Sequence, residues 1–257
     1  MVDGSYEQLV SEALSWKFSG WDFSPLHGRL IEGSAPWRYR SMAMALFEGK
    51  GCVLDMGTGG GELLSTMLPL PTMTVATEGY KPNVPVAGGR LRPLGVEVVQ
   101  TYCDDNYVVP QRGEMPFREG AFDVVINRHE SFRATEVLRI LKHGGIFLTQ
   151  QIESGLKREL NEFLGAPIPE VKWNLGIAQM QLKEAGFRIK EKGEAVTPAL
   201  FRDIGAVVCY LRIAEWQITD FNVDEYDTRL RELDRYIRHN DGFEAKNRLF
   251  YLMSVKP

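Results

Sequence analysis

The stretch VLDMGTGGGELLSTM, residues 53–67, decides how the chain is read. An apolar run ends in Asp55, glycines follow at 57, 59, 60 and 61, and apolar residues then recur at helical spacing. Glycine lets a chain turn sharply and brings bare backbone close to a ligand. Residues 52–56 are therefore expected as a strand. Residues 62–68 are expected as a helix with Leu63, Leu64, Met67 and Leu68 on one face, ended by Pro69 and Pro71. The N–H groups that open such a helix suit a carboxylate or a phosphate.

Outward from this loop the chain alternates. Short apolar runs at 73–77, 96–101, 122–127, 146–151 and 187–194 read as strands, and 82–92, 135–142 and 180–185 read as helices, with glycine stops at Gly144-Gly145 and Gly186. Strands alternating with helices predict an α/β fold, a mostly parallel, doubly wound, Rossmann-like sheet covered on both faces. Residues 51–194 form this core. Residues 1–48 are expected as an aromatic-rich helical extension, and 197–241 as a helical insertion in which Val223, Tyr226, Leu230, Leu233 and Ile237 make one apolar stripe. Residues 243–257 hold a last strand, read at 248–255. All of this is expected within one domain, 1–257.

In an open parallel sheet a ligand sits beyond the carboxyl ends of the strands. A dinucleotide fingerprint starting at Gly57 would need its third glycine at position 62, where Glu62 stands, a carboxylate near a pyrophosphate. No Gly-Lys-Ser/Thr follows, so a Walker loop fails as well. A cationic cofactor without phosphate suits these acids better.

With its neighbours, the segment from Val53 through Asp55 to Gly61 resembles motif I of the class I S-adenosylmethionine-dependent methyltransferases. Three later runs agree in order: Glu78 after the second strand, Met115-Pro116-Phe117 ahead of Phe122-Asp123-Val124-Val125, and Leu138-Arg139-Ile140-Leu141-Lys142-His143-Gly144-Gly145. The likeness covers residues 51–152, and its motif style is most similar to the ubiquinone/menaquinone-biosynthesis-type group, although the long C-terminal segment departs from compact members. It implies a seven-stranded sheet with an antiparallel last strand, and S-adenosylmethionine as cofactor with S-adenosylhomocysteine as product. Cofactor residues implied are Asp55, Gly57, Thr58, Gly59, Gly60, Gly61, Glu78 and Gly79, with Glu78 on the ribose diol, together with Asn127. Asp104, with Asp105 as its competitor, is placed on the adenine amino group.

The acceptor is expected on the same side. Asn127-Arg128-His129-Glu130 follows the fourth strand, making His129 and Glu130 the candidates for catalysis, His129 as a general base. Trp21, Trp37, Arg128 and Gln150 are candidates for substrate binding, and the two helical segments are expected as an aromatic-lined lid. No Asn/Asp-Pro-Pro-Tyr/Phe tetrad is present, which speaks against methylation of base amino groups.

Bulk properties narrow the field. Of 257 residues 44% are hydrophobic, and the formal net charge is −4, so the globally basic footprint of a nucleic-acid binder is lacking. RNA is the second acceptor reading, resting on Arg128, Arg133, Arg139, Lys142 and His143, and is disfavoured against a small molecule. Three cysteines without close spacing fit neither a metal site nor a disulfide framework and suit a reducing cytoplasm. The polar, acidic start MVDGSYEQLVSEAL is no signal peptide, and no apolar run reaches the ~20 residues of a membrane span. The expectation is a cytoplasmic methyltransferase, monomer or homodimer, without metal or membrane. A SAM-binding protein without catalysis is the alternative of a different class.

Overall fold

Among the residues that the computed structural model describes (4–17, 23–101, 114–168, 170 and 172–257), eight strands and eight α-helices occur. Asp104, Asp105 and Trp21 lie outside them. The strands are β1 (Leu30–Glu32), β2 (Cys52–Met56), β3 (Met73–Glu78), β4 (Glu97–Gln100), β5 (Phe122–Arg128), β6 (Leu141–Ile152), β7 (Arg188–Phe201) and β8 (Phe243–Val255). The helices are α1 (Tyr6–Ser15), α2 (Tyr39–Phe47), α3 (Asn83–Leu91), α4 (Ala134–Ile140), α5 (Arg158–Leu164), α6 (Leu175–Ala185), α7 (Ile204–Ile213) and α8 (Val223–Asn240).

The chain groups into two compact units. The first holds Met1–Ala35, Glu153–Lys172 and Ala195–Leu249; the second holds Pro36–Ile152, Trp173–Glu194 and Phe250–Pro257. In the second unit the sheet order is β7-β8-β6-β5-β2-β3-β4, with β2 paired in parallel to both β3 and β5. The connections leave β2 toward opposite edges, so the carboxyl ends of β2 and β5 form the place where a doubly wound sheet opens to a ligand. Val53, Leu54, Val124 and Val125 are fully buried, as strands covered on both faces require. One face packs on Phe132, Val137, Phe147 and Leu182, the other on Ala43, Leu64, Ala87 and Leu91.

The first unit is built around α7, whose residues 204–211 are all buried. Asp203 caps it, accepting from Ala206 N–H at 2.8 Å. The stripe expected in α8 holds: Leu230, Leu233 and Ile237 are buried in the same core, with Val223 and Tyr226 packed against it. A buried lysine, Lys157, donates to Asn247 Oδ1 at 2.7 Å and to Glu32 Oε1 at 3.0 Å. Burial pushes its ammonium pKa down.

The structure corrects the sequence reading in four places. Eight strands replace the expected seven, because residues 30–32, assigned to a helical extension, pair antiparallel with Ala199, Leu200 and Phe201. The same pairing extends β7 to Phe201, so residues 197–201 are strand and not the start of a helical insertion. The expected helix at 62–68 is only a 3-10 turn, Leu64–Thr66. Between the glycines and Pro69 there are too few residues to repay helix nucleation. Finally, α4 stops at Ile140, before Gly144-Gly145, because β6 starts at Leu141. Gly144 N–H bonds Lys256 C=O at 2.9 Å, and Lys256 N–H bonds Gly145 C=O at 3.0 Å. Glu153 N–H bonds Arg248 C=O at 2.8 Å, so β8 runs opposite to β6. Among the described residues no helix is long and apolar enough to cross a membrane.

Candidate functional site

Asp55 is the next-to-last residue of β2 and 8% exposed. Its pKa is pushed from 3.8 to about 6, first by burial and further by the charge of Glu78; the Thr58 hydroxyl and Arg128 pull the other way. Glu78 ends β3, is 4% exposed, and accepts Tyr80 N–H at 2.7 Å. Burial raises its pKa too, and the backbone N–H groups of Tyr80, Gly59 and Gly79 oppose that rise. Two buried acids that repel each other make a region of negative potential, which a cation relieves and a pyrophosphate worsens.

The glycine loop spans these acids. Gly57, Gly59 and Gly61 all have positive φ, of 73, 62 and 80°. Thr58 N–H anchors the loop to Thr77 C=O at 2.8 Å. Their surroundings differ. A Cβ at Gly57 would fall on the Glu130 side chain, and one at Gly61 on Leu91, whereas a Cβ at Gly59 would meet none of the described residues within 4 Å. Among the described residues Gly59 is thus the glycine of this loop with open space beside it, and Gly57 is the one over which Glu130 packs. Glu62 does not reach toward a ligand. It folds back on Gly60 and pairs with Arg90, which also donates to Gly60 C=O. The case against a pyrophosphate therefore rests on Asp55 and Glu78, not on Glu62.

Around the same strand ends, Asn127 Nδ2 is buried without a hydrogen-bond partner among the described residues, and the buried hydroxyls of Tyr39 and Thr58 make at most weak bonds, to the Asn127 backbone and the Asp55 carboxylate. Asn127 is fully buried; its Oδ1 accepts from Thr149 Oγ1 at 2.8 Å and Gln151 Nε2 at 2.6 Å, which aims the amide and leaves Nδ2 unused. Tyr39 opens α2, and its hydroxyl pKa stands well above the ordinary value because of burial and the nearby Asp55 carboxylate. A buried donor left unpaired costs about 1–3 kcal/mol, so Asn127 Nδ2 marks a place shaped for a polar ligand. S-adenosylmethionine fits this donor set, having a carboxylate to accept hydrogen bonds and two cationic centres for the acids.

At the carboxyl end of β5, Arg128 and His129 are exposed. His129 leaves β5 with φ 61° and donates its N–H to Gln150 C=O at 2.9 Å. Gln150 is 6% exposed and bridges two side chains: Trp37 Nε1–H reaches its Oε1 at 2.8 Å, and its Nε2 lies 3.1 Å from His129 Nε2. Trp37 also packs on Tyr251, ring centroids 5.0 Å apart. Of the residues singled out in the sequence, the structure brings Asp55, Gly57, Thr58, Glu78 and Asn127 to the strand ends, and Trp37, Gln150 and His129 into one bonded group. Thr149 and Tyr251 were missed; each reaches the site through contacts far apart in sequence, where no local motif signals them.

No family model matches the chain, and no curated protein matches it. Solved structures do. A candidate methyltransferase from Bacillus halodurans C-125 aligns over 85% of this chain and 98% of its own, with a TM-score of 0.59 and 19% identity. A protein from Galdieria sulphuraria, named as a candidate sarcosine dimethylglycine methyltransferase, covers 84% and 82% at a TM-score of 0.50 and 13% identity. The [4+2]-cyclase SpnF covers 97% and 93% at 0.50 and 17%. At these identities the likeness is one of fold: the chain has the Rossmann-like α/β fold of methyltransferases, a fold that also carries a cyclase.

Proposed function

We propose that this chain binds S-adenosylmethionine at the carboxyl ends of β2, β3 and β5 and methylates a small-molecule acceptor. The carrying observation is the unpaired, buried Asn127 Nδ2 beside two buried acids of raised pKa. Glu78 would accept from the ribose hydroxyls, and Asp55 would set the negative potential for the cationic end. The open Gly59 would let the ligand approach bare backbone, and Asp104 or Asp105 would meet the adenine. When bound, the cofactor supplies a methyl group on a sulfonium that needs no further activation. What remains for the chain is to hold the acceptor in line and to exclude water. Arg128 would hold the acceptor, with His129 and Glu130 beside it and Gln150 and Trp37 behind them. The net charge of −4 favours a small molecule over RNA.

The test is formation of S-adenosylhomocysteine, followed by mass spectrometry, when the protein is incubated with S-adenosylmethionine and pools of small acceptors or bulk RNA. Turnover with a small-molecule pool is expected. Turnover with RNA alone would overturn the acceptor class, and binding without turnover on any pool would leave a SAM-binding protein in place of the enzyme.

A further inference from the structure

The hydrogen bonds at Gln150 fix more than its position. An indole N–H only donates, so the atom of Gln150 that faces Trp37 Nε1 at 2.8 Å is the amide oxygen. The other end of that amide is an NH2 group, which only donates, and it lies 3.1 Å from His129 Nε2. His129 Nε2 must then accept. It carries a lone pair and no proton, and the proton of the neutral ring sits on Nδ1. Reversing the amide would set NH2 against the indole N–H, two donors face to face. Trp37 resists moving away because its ring is packed on Tyr251, and Gln150 is buried in β6 with its own C=O bound to His129 N–H.

We propose that Trp37 and Gln150 are positioning residues that hold His129 as the neutral Nδ1–H tautomer and so withdraw it from the role of general base. One ring nitrogen is protonated and the other spends its lone pair on Gln150. This reading corrects the sequence-based assignment of His129 and rests on the proposal that the acceptor meets the cofactor beside β5. It names a substrate class: acceptors whose attacking atom has no proton to lose, such as a carboxylate, a thiolate or a heteroaromatic nitrogen. For these no proton has to leave as the new bond to carbon forms. An alcohol or an ammonium group, which must lose a proton, gets no help from this imidazole.

The experiment is a two-bond 1H–15N correlation spectrum of the 15N-labelled full chain at pH 8, with the His129 ring identified by its loss in His129→Asn. The expected pattern is a protonated Nδ1 and a pyridine-like Nε2, opposite to the tautomer that free histidine prefers in water. Trp37→Phe keeps a ring against Tyr251 but frees the amide to turn, and a mixture of tautomers is expected. Gln150→Glu puts an acceptor opposite Nε2, and the proton is expected to move there. An Nε2–H pattern in the unmodified protein, or a pattern that neither substitution changes, overturns the proposal. Titration of the unmodified protein with S-adenosylmethionine separates the two readings. If no cofactor binds while the tautomer pattern holds, the methyltransferase reading falls and the assignment at His129 stands.

Discussion

Replacing Asp55 with asparagine is expected to stabilise the ligand-free protein while removing its cofactor site. In the folded chain the Asp55 carboxyl titrates at about 6, against an ordinary 3.8. A carboxyl with a raised folded pKa binds its proton more tightly in the native state than in the unfolded one. Between pH 4 and 6 the native state keeps a proton that the unfolded chain has released, so stability falls as pH rises through this window. A shift of about two units corresponds to about 3 kcal/mol at neutral pH. Asparagine has nearly the same shape and no charge, so Asp55→Asn should lift this penalty. For a chain of this length that is a rise of about 6 °C in the unfolding midpoint. The assay is thermal and urea unfolding of both proteins at pH 7.5 and pH 4. The gain should be present at pH 7.5 and absent at pH 4, and S-adenosylmethionine should bind at least tenfold more weakly to the variant. A variant less stable than its parent at pH 7.5, or a gain that persists at pH 4, would refute the reasoning.

Other substitutions probe the same pocket. Tyr39→Phe removes a buried hydroxyl beside the Asp55 carboxylate; calorimetry should show weaker cofactor binding by about 1–2 kcal/mol, with thermal stability little changed. Glu78→Ala should weaken S-adenosylmethionine by about 1–3 kcal/mol in the same assay, the loss of charge-assisted hydrogen bonds. Gly57→Ala forces a Cβ into the Glu130 side chain at φ 73°, so its unfolding midpoint should drop sharply. Gly59→Arg enters open space at φ 62° and should abolish cofactor binding while leaving a cooperative unfolding transition.

Much of the core was legible because its signals are local. A strand buried on both faces is a short apolar run, so β2, β3 and β5 were visible within one or two residues, as were the glycine loop and the acid that ends β3. What escaped depends on partners distant in the chain. Leu30, Ile31 and Glu32 carry no strand pattern and become β1 only because residues 199–201 lie alongside. Gly144 and Gly145 look like a helix stop and are strand because Lys256 pairs with them. In the site, Asp55 and Glu78 follow from a motif, but Tyr39 is assigned by burial alone. The bond from Trp37 to Gln150 joins residues 113 positions apart, and no local pattern announces it.

The most direct test of the central claim is calorimetric titration of the purified protein with S-adenosylmethionine, S-adenosylhomocysteine and NAD(H) in parallel. The account predicts micromolar binding of both sulfur nucleosides and none of NAD(H), since Asp55 and Glu78 repel a pyrophosphate. Binding of NAD(H), or of neither sulfur nucleoside, would contradict it and leave the chain with a methyltransferase fold alone.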